Sequence, residues 1–287
     1  MGSLKETKNR ISSVQNTLKI TSAMKLIASA KFHTAQISVR KVQLYDNKLN
    51  DLLNSIFEGR DDLEFSFMDE RPLKRIALIP FSSDTGLCGS FNSNVLKGTE
   101  LLIEEYKKKG IEIDLYPVGN KITNALVRAS IPVKYDGTKL LDKPSVEKCR
   151  IFSQILMNRF KSGEVDKVIF LYHRLKRASK QVLSEETILP FRVKEQIKIV
   201  EPQDLLTEPS PLRFLETIFP QFIATRVYSA ISESLVSEHA ARMTAMQIAT
   251  DNANDLLKEL KILYNKTRQQ AITSEILDLV GGRIRRG

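Results

Sequence analysis

The sequence predicts an α/β protein built from a long helix, a mixed strand-and-helix middle and a second long helix. Three observations predict it: where Gly and Pro fall, an apolar ladder of heptad spacing near the N-terminus, and a central alternation of strand-like and helix-like segments. Inside a helix Gly costs about 1 kcal/mol and Pro about 3 kcal/mol, so long helices exclude both. Neither occurs between Gly2 and Gly59, nor between Pro220 and Gly281. Other breakers, among them Gly86, Gly89, Gly98, Gly110, Gly119, Gly137 and Gly163, fall between or beside those windows.

In the first window, alternating steps of three and four residues run from Leu4 through Thr7, Ile11, Val14, Leu18, Thr21, Lys25, Ala28, Phe32, Ala35, Val39, Val42, Asp46, Leu49 and Leu53 to Ile56; twelve of the sixteen are apolar. A mean step of 3.5 residues keeps one stripe facing a partner helix, the signature of a coiled coil.

The middle follows in order. Residues 74–81 (KRIALIPF) read as a buried strand, 90–109 as a helix, 111–118 as a strand, NKITNALVRAS as a short helix and IPVKY as a strand. Then come a helix over 145–162, a strand over 165–173 and an added edge strand within 181–200. Such alternation implies a mostly parallel sheet with helices packed on it. The prolines at 202, 209, 211 and 220 mark a linker. The last helix carries a less regular stripe of Leu235, Met246, Ala249, Ala253, Leu256, Leu260, Leu263 and Leu277. The Gly281–Gly282 pair is a natural stop, which places its end near Val280. At 1.5 Å per residue the two windows give helices of roughly 80 to 90 Å, longer than a globule of this chain length is wide, so they are expected to project and to need outside support.

The 287 residues carry 44 Lys and Arg against 34 Asp and Glu. With 42% hydrophobic and 27% charged residues the composition is that of a folded chain, not a disordered one. The net charge of +10 comes from the two ends: residues 1–60 hold ten cations against four anions, and residues 256–287 hold seven against three. Positive helices attached to a neutral middle point to an acidic partner. Two isolated cysteines, Cys88 and Cys149, support neither a zinc site nor a disulfide framework. The first twenty residues lack the apolar core of a secretory signal, and no stretch approaches the roughly 20 apolar residues of a membrane span.

No catalytic constellation emerges. SSDTGLCGS (82–90) follows the first strand as a nucleotide-binding turn would, but Gly86 and Gly89 give only G-x-x-G, so a structural turn is favoured, with Cys88 as a small packing residue. His33, His173 and His239 lie on different elements, and the adjacent pairs Glu104–Glu105 and Glu185–Glu186 read as solvated faces. Met24, Met243 and Met246 read as seam residues. Arg242, Arg268 and Gln269 are solvated by default, although an Arg fork on a partner-facing helix suits carboxylates.

SSVQNTLKITSAMKLIASAK (12–31), SSDTGLCGSFN (82–92) and the segment from SEHAARMTAMQIATDNAND to LVGG (237–282) together resemble the gamma subunit of the F-type ATP synthase, in the family's order and over nearly the whole chain. The resemblance implies a long antiparallel coiled coil of the terminal helices with an inserted Rossmann-like α/β domain, divided as 1–60, 61–208 and 209–287. It implies a central-stalk rotor, itself non-catalytic and without a cofactor or metal. That rotor couples proton-driven rotation of the membrane c-ring to ATP synthesis or hydrolysis at the beta subunits. The implied partners are the alpha and beta subunits of the catalytic hexamer, the epsilon subunit and the c-ring, with no nucleic acid and no direct membrane insertion. The implied location is peripheral, on the cytoplasmic face of a bacterial inner membrane in preference to a mitochondrial matrix face. Met24, Arg242, Arg268, Gln269, Thr273 and Glu275 match family positions linked to rotor contact or coupling, with Arg268 and Gln269 facing an acidic loop of a beta subunit. This chain departs from the family in its GGRIRRG ending and in lacking the chloroplast branch's cysteine-bearing insert.

Overall fold

A computed structural model describes residues 4–57, 63–177, 180–193 and 210–284. The order is α1 (Leu4–Phe57), β1 (Arg75–Pro80), α2 (Phe91–Lys108), β2 (Glu112–Leu115), α3 (Asn120–Arg128), a 3-10 turn at Thr138–Leu140, α4 (Val146–Lys161), β3 (Lys167–Arg177), β4 (Lys180–Leu189) and α5 (Pro211–Ile284). Contacts divide this into two units, residues 30–241 and residues 1–29 with 242–287.

The larger unit is organised by a four-stranded sheet of order β2-β1-β3-β4. β1 pairs in parallel with both β2 and β3, while β4 is antiparallel to β3. Because strand side chains alternate between faces, the apolar runs of β1 and β3 feed two cores. Ile76, Leu78, Ile169 and Leu171 meet Val95, Leu102 and Tyr106 of α2 and Ile122 and Leu126 of α3. Ala77, Ile79, Val168, Phe170 and Tyr172 face the other way, towards Phe152, Leu156 and Phe160 of α4. This second core also takes in Leu49, Leu53, Ile56 and Phe57 of α1 and Leu215, Phe219, Phe222, Ile223 and Val227 of α5, so the helix roots are built into the domain core. Within the unit, α1 and α5 run antiparallel. Gln43 Nε2 donates to Glu233 Oε1 at 3.1 Å, while Tyr45 and Asp46 meet Gln221 and Arg226, at lower α5 numbers.

In the smaller unit the two helices share a seam. Thr7, Thr21 and Ala28 are buried on α1, and Met246, Ala253 and Leu260 on α5. Thr250 Oγ1 donates to Thr21 Oγ1 at 2.9 Å, joining one ladder position to the opposite helix. All sixteen ladder positions of α1 are buried or half-buried.

Four expectations are corrected. IPVKY is not a strand: only an isolated parallel bridge, Leu115 to Val133, forms there, and a Pro within the segment cannot donate to a ladder. The last helix begins at Pro211, not after Pro220, which lies inside it. Pro211 supplies a preset φ at the first helical position, and fully burying Leu215 and Phe219 contributes about 1.5–3 kcal/mol each, enough to offset a Pro in the interior. The helix also continues past Gly281 and Gly282 to Ile284, since glycine permits a stop without enforcing one. Finally, Met246, Ala253 and Leu260 are buried as expected, but Leu256, Leu263 and Leu277 are exposed, because Leu257 and Tyr264 take the seam positions beside the first two. The α5 stripe runs through Met243, Met246, Thr250, Ala253, Leu257, Leu260, Tyr264, Thr267 and Ala271, none of them exposed.

Candidate functional site: the outer surface of the helix pair

All six candidate contact residues lie in the smaller unit. Met24 and Arg242 are half-buried, whereas Arg268, Gln269, Thr273 and Glu275 are exposed. They do not converge: Arg242 and Arg268 are separated by 26 residues of one continuous helix, about 39 Å of rise. At about 100° per residue, Gln269 and Thr273 point roughly 150–170° away from the Leu260–Tyr264–Thr267–Ala271 seam, and Arg268 and Glu275 flank it at roughly 50–70°. The Thr273 hydroxyl donates to the Gln269 carbonyl at 2.9 Å, so that hydroxyl is turned back onto its own helix.

Around these polar groups the outward surface also carries exposed aliphatic side chains. Ile262, Ile272, Ile276 and Leu277 on α5 and Leu26 and Ile27 on α1 are about half exposed or more, Ile262 reaching 70%. One exposed aliphatic residue is ordinary, but a succession along one helix, interleaved with Arg268, Gln269 and Glu275, is the composition of a surface that meets protein.

The turn after β1 is occupied by its own bonds. The Ser83 amide donates to Asn92 Oδ1 at 3.0 Å and the Ser83 hydroxyl to the Thr85 carbonyl at 2.7 Å. Asn92 Nδ2 donates to Cys88 Sγ at 3.1 Å. At the start of α3, where a phosphate would seek free amides, Asn120 N donates to Asp84 Oδ1 (2.9 Å), Lys121 N to the Ser83 carbonyl (3.1 Å) and Ile122 N to Ser82 Oγ (3.0 Å). A carboxylate and a hydroxyl of the chain itself thus fill the place of an anion. Gly119 allows this closure, with φ at 108° and the Ser82 carbonyl packed where a Cβ would stand.

His33 is exposed, and His173 is buried against the Phe91 ring, with centroids 4.4 Å apart. Burial pushes the His173 imidazole down to about 4. No group of His, Cys, Asp and Glu suited to holding a metal ion occurs among the described residues, and no described helix is long and apolar enough to cross a membrane.

Sequence reasoning missed one cluster in the larger unit, Asp46, Glu186 and Arg226. Asp46 is 4% exposed at a ladder position, and Arg226 Nη1 donates to its Oδ2 at 2.6 Å. Glu186, on β4, is not on a solvated face as expected but is half-buried and also pairs with Arg226. The signal was present: Asp46 is the only acidic residue in the ladder, and a charge at a core-facing position demands a partner.

An apolar seam, an outward face that mixes aliphatic and charged groups, and helix roots embedded in an α/β core define a class: a two-helix coiled-coil protein that carries an α/β domain and offers helix surface to a protein partner. The ATP synthase family model matches residues 3–283. The ATP synthase gamma chain of Phocaeicola vulgatus is 42% identical, covering 98% of this chain and 99% of the relative. Two cryo-EM structures from the Euglena gracilis mitochondrial ATP synthase share the fold. The rotor in rotational state 1 has a TM-score of 0.64 at 18% identity, covering 94% of this chain and 98% of that one. A chain of the OSCP/F1/c-ring assembly in rotational state 3 has a TM-score of 0.68 at 17% identity, covering 99% and 94%. The chain belongs to the ATP synthase gamma-chain family.

Proposed function

We propose that this chain is the rotating, non-catalytic central-stalk subunit of an ATP synthase, with its helix pair gripped by the catalytic hexamer and its α/β domain joined to the proton-driven ring. The observation that carries the reading is the near-full-length relationship to gamma chains, combined with a helix pair whose outer face leaves aliphatic and charged side chains for a partner to cover. The functional division follows as helix 1–60, domain 61–208 and helix 209–287. Alpha and beta subunits form the sleeve around the helices, while epsilon and the c-ring meet the domain. The complex couples proton flow to ATP synthesis or hydrolysis, and this chain lies peripheral to the cytoplasmic face of a bacterial inner membrane.

Met24 and Arg242 serve one level of the helix pair, and Arg268, Gln269, Thr273 and Glu275 another. Exposure of Arg268 leaves its guanidinium free to take a beta-subunit carboxylate. The test is direct: immobilise the hexamer assembled with this chain, attach a probe to the α/β domain and supply ATP. Unidirectional rotation is the expected result, and a hexamer that hydrolyses ATP while the probe stays still refutes the proposal. Arg268→Ala is expected to lower the ratio of protons pumped to ATP hydrolysed or the yield of complex, since losing one desolvated charged bond costs about 3–5 kcal/mol. Unchanged yield and pumping removes Arg268 from the contact surface.

A further inference from the structure

We infer that Arg226 is a positioning residue that fixes the rotational register of the roots of α1 and α5 on the sheet. This rests on the rotor reading above. Four elements converge on one ionic network in the larger unit. Arg226 of α5 reaches Asp46 of α1 through Nη1 at 2.6 Å and Glu186 of β4 through Nη2. Glu186 Oε2 accepts from the Tyr172 hydroxyl and from Arg174 Nη2 of β3, each at 2.6 Å. Arg174 Nε lies 3.7 Å from Glu233 Oε2 of α5, and Glu233 Oε1 accepts from Gln43 Nε2 of α1 at 3.1 Å. The contacts close a ring from α1 to α5 to β4 to β3 and back through α5 to α1.

The hydrophobic contacts between the helix roots and the sheet are extensive but non-directional, so they resist separation better than they resist turning or sliding. A guanidinium fork that holds two carboxylates from two different elements is directional. Rotating α5 about its axis breaks one or both of its bonds. Arg226 is well placed for this work, with its side chain only 20% exposed and Asp46 and Glu186 more buried still. In a rotor, torque passing between the sheet domain and the helices crosses this junction. The ring is where chemistry, as opposed to packing, can carry it.

The experiment uses the assembled complex, with the hexamer immobilised, nucleotide withheld, and a probe on the α/β domain reporting angular fluctuation. Arg226→Gln is expected to widen the angular variance about twofold, because it removes both directional bonds between α5 and its ionic neighbours. Arg226→Lys keeps the charge but loses the fork, and is expected to restore complex yield without restoring the variance. Glu186→Gln, which leaves the Asp46 pair intact, is expected to give a smaller widening and serves where Arg226→Gln fails to assemble. Variance equal to that of the unmodified complex in Arg226→Lys and Glu186→Gln overturns the inference. Absence of ATP-driven rotation in the unmodified complex overturns the rotor reading instead, so the two failures are distinguishable.

Discussion

Acidification should weaken the α/β domain through His173. The ring is 1% exposed on β3 and stacked on Phe91, and its Nδ1 has no hydrogen-bond partner. Burial therefore disfavours the imidazolium and lowers the folded value to about 4, against 6.5 for the unfolded chain. The unfolded state binds the extra proton between those two values. The contribution is thus fully present above about pH 6.5 and disappears as pH falls towards 4. Across the whole window the linkage is on the order of 3 kcal/mol, and between pH 7 and pH 5 it is about 2 kcal/mol. Urea denaturation of the purified chain at these two pH values measures it, with His173→Leu as the control that cannot titrate. The variant is expected to lose about 2 kcal/mol less than the parent over that interval. Equal pH dependence in the two proteins refutes the argument, because it means that the buried ring either protonates without cost or is reached by water.

Two further perturbations test packing. Gly119→Ala places a methyl group 2.5 Å from the Ser82 carbonyl oxygen at a φ of 108°, so the β1–α3 junction has to open; a loss of about 3 kcal/mol or more is expected in a denaturant titration, and a change near zero refutes the closeness of that approach. Burial pushes the Cys149 thiol up to about 12, so native chain at pH 8 should leave Cys149 unalkylated by iodoacetamide until denaturant is added, whereas rapid labelling of the native chain contradicts the packing described for α4.

What was legible in the sequence was whatever repeats with a fixed period. The α1 ladder was read correctly from Leu4 to Ile56 because its alternating steps admit one register. On α5 the same periodicity was ambiguous. Leu256 and Leu257 are adjacent and equally apolar, and Leu263 adjoins the less apolar Tyr264, so pattern alone put two steps of the stripe on the exposed side while Met246, Ala253 and Leu260 were placed correctly. The polar Thr250 hid the correct register, although it bonds Thr21 across the seam. Pro220 was read as a boundary because propensity was weighed without the burial of Leu215 and Phe219, which only the folded domain reveals. Exposure of Arg268 and Gln269 was expected of charged and polar residues, but their candidacy as contact residues came from resemblance, since no period or composition marks which exposed side chain meets a partner. The ionic ring at Asp46 was missed for another reason: its members come from α1, β3, β4 and α5, and no local pattern links positions so distant in sequence.

The two units differ in what their buried positions can contribute, and that difference bears on how the chain works. In the larger unit the helix roots are held by Phe57, Phe160, Phe191, Phe219 and Phe222, each burying a large ring. In the smaller unit Thr7, Thr21, Ala28 and Ala253 take seam positions, and small or hydroxylated side chains bury little apolar area. Full burial of a large aliphatic or Phe side chain contributes about 1.5–3 kcal/mol, whereas ordering one backbone residue costs roughly 1–2 kcal/mol, so a seam in which Met246 and Leu260 alternate with Thr and Ala falls short in isolation. The missing apolar area is on the outside, at Ile262, Ile272, Ile276 and Leu277. A partner that covers those residues supplies folding free energy and binding free energy together, which links order in this helix pair to coverage of its outer face. For a rotor this has a mechanical sense: the seam needs no excess stability of its own, while the junction of the helix roots with the sheet, where we infer that turning force passes, has both the aromatic packing and the directional bonds.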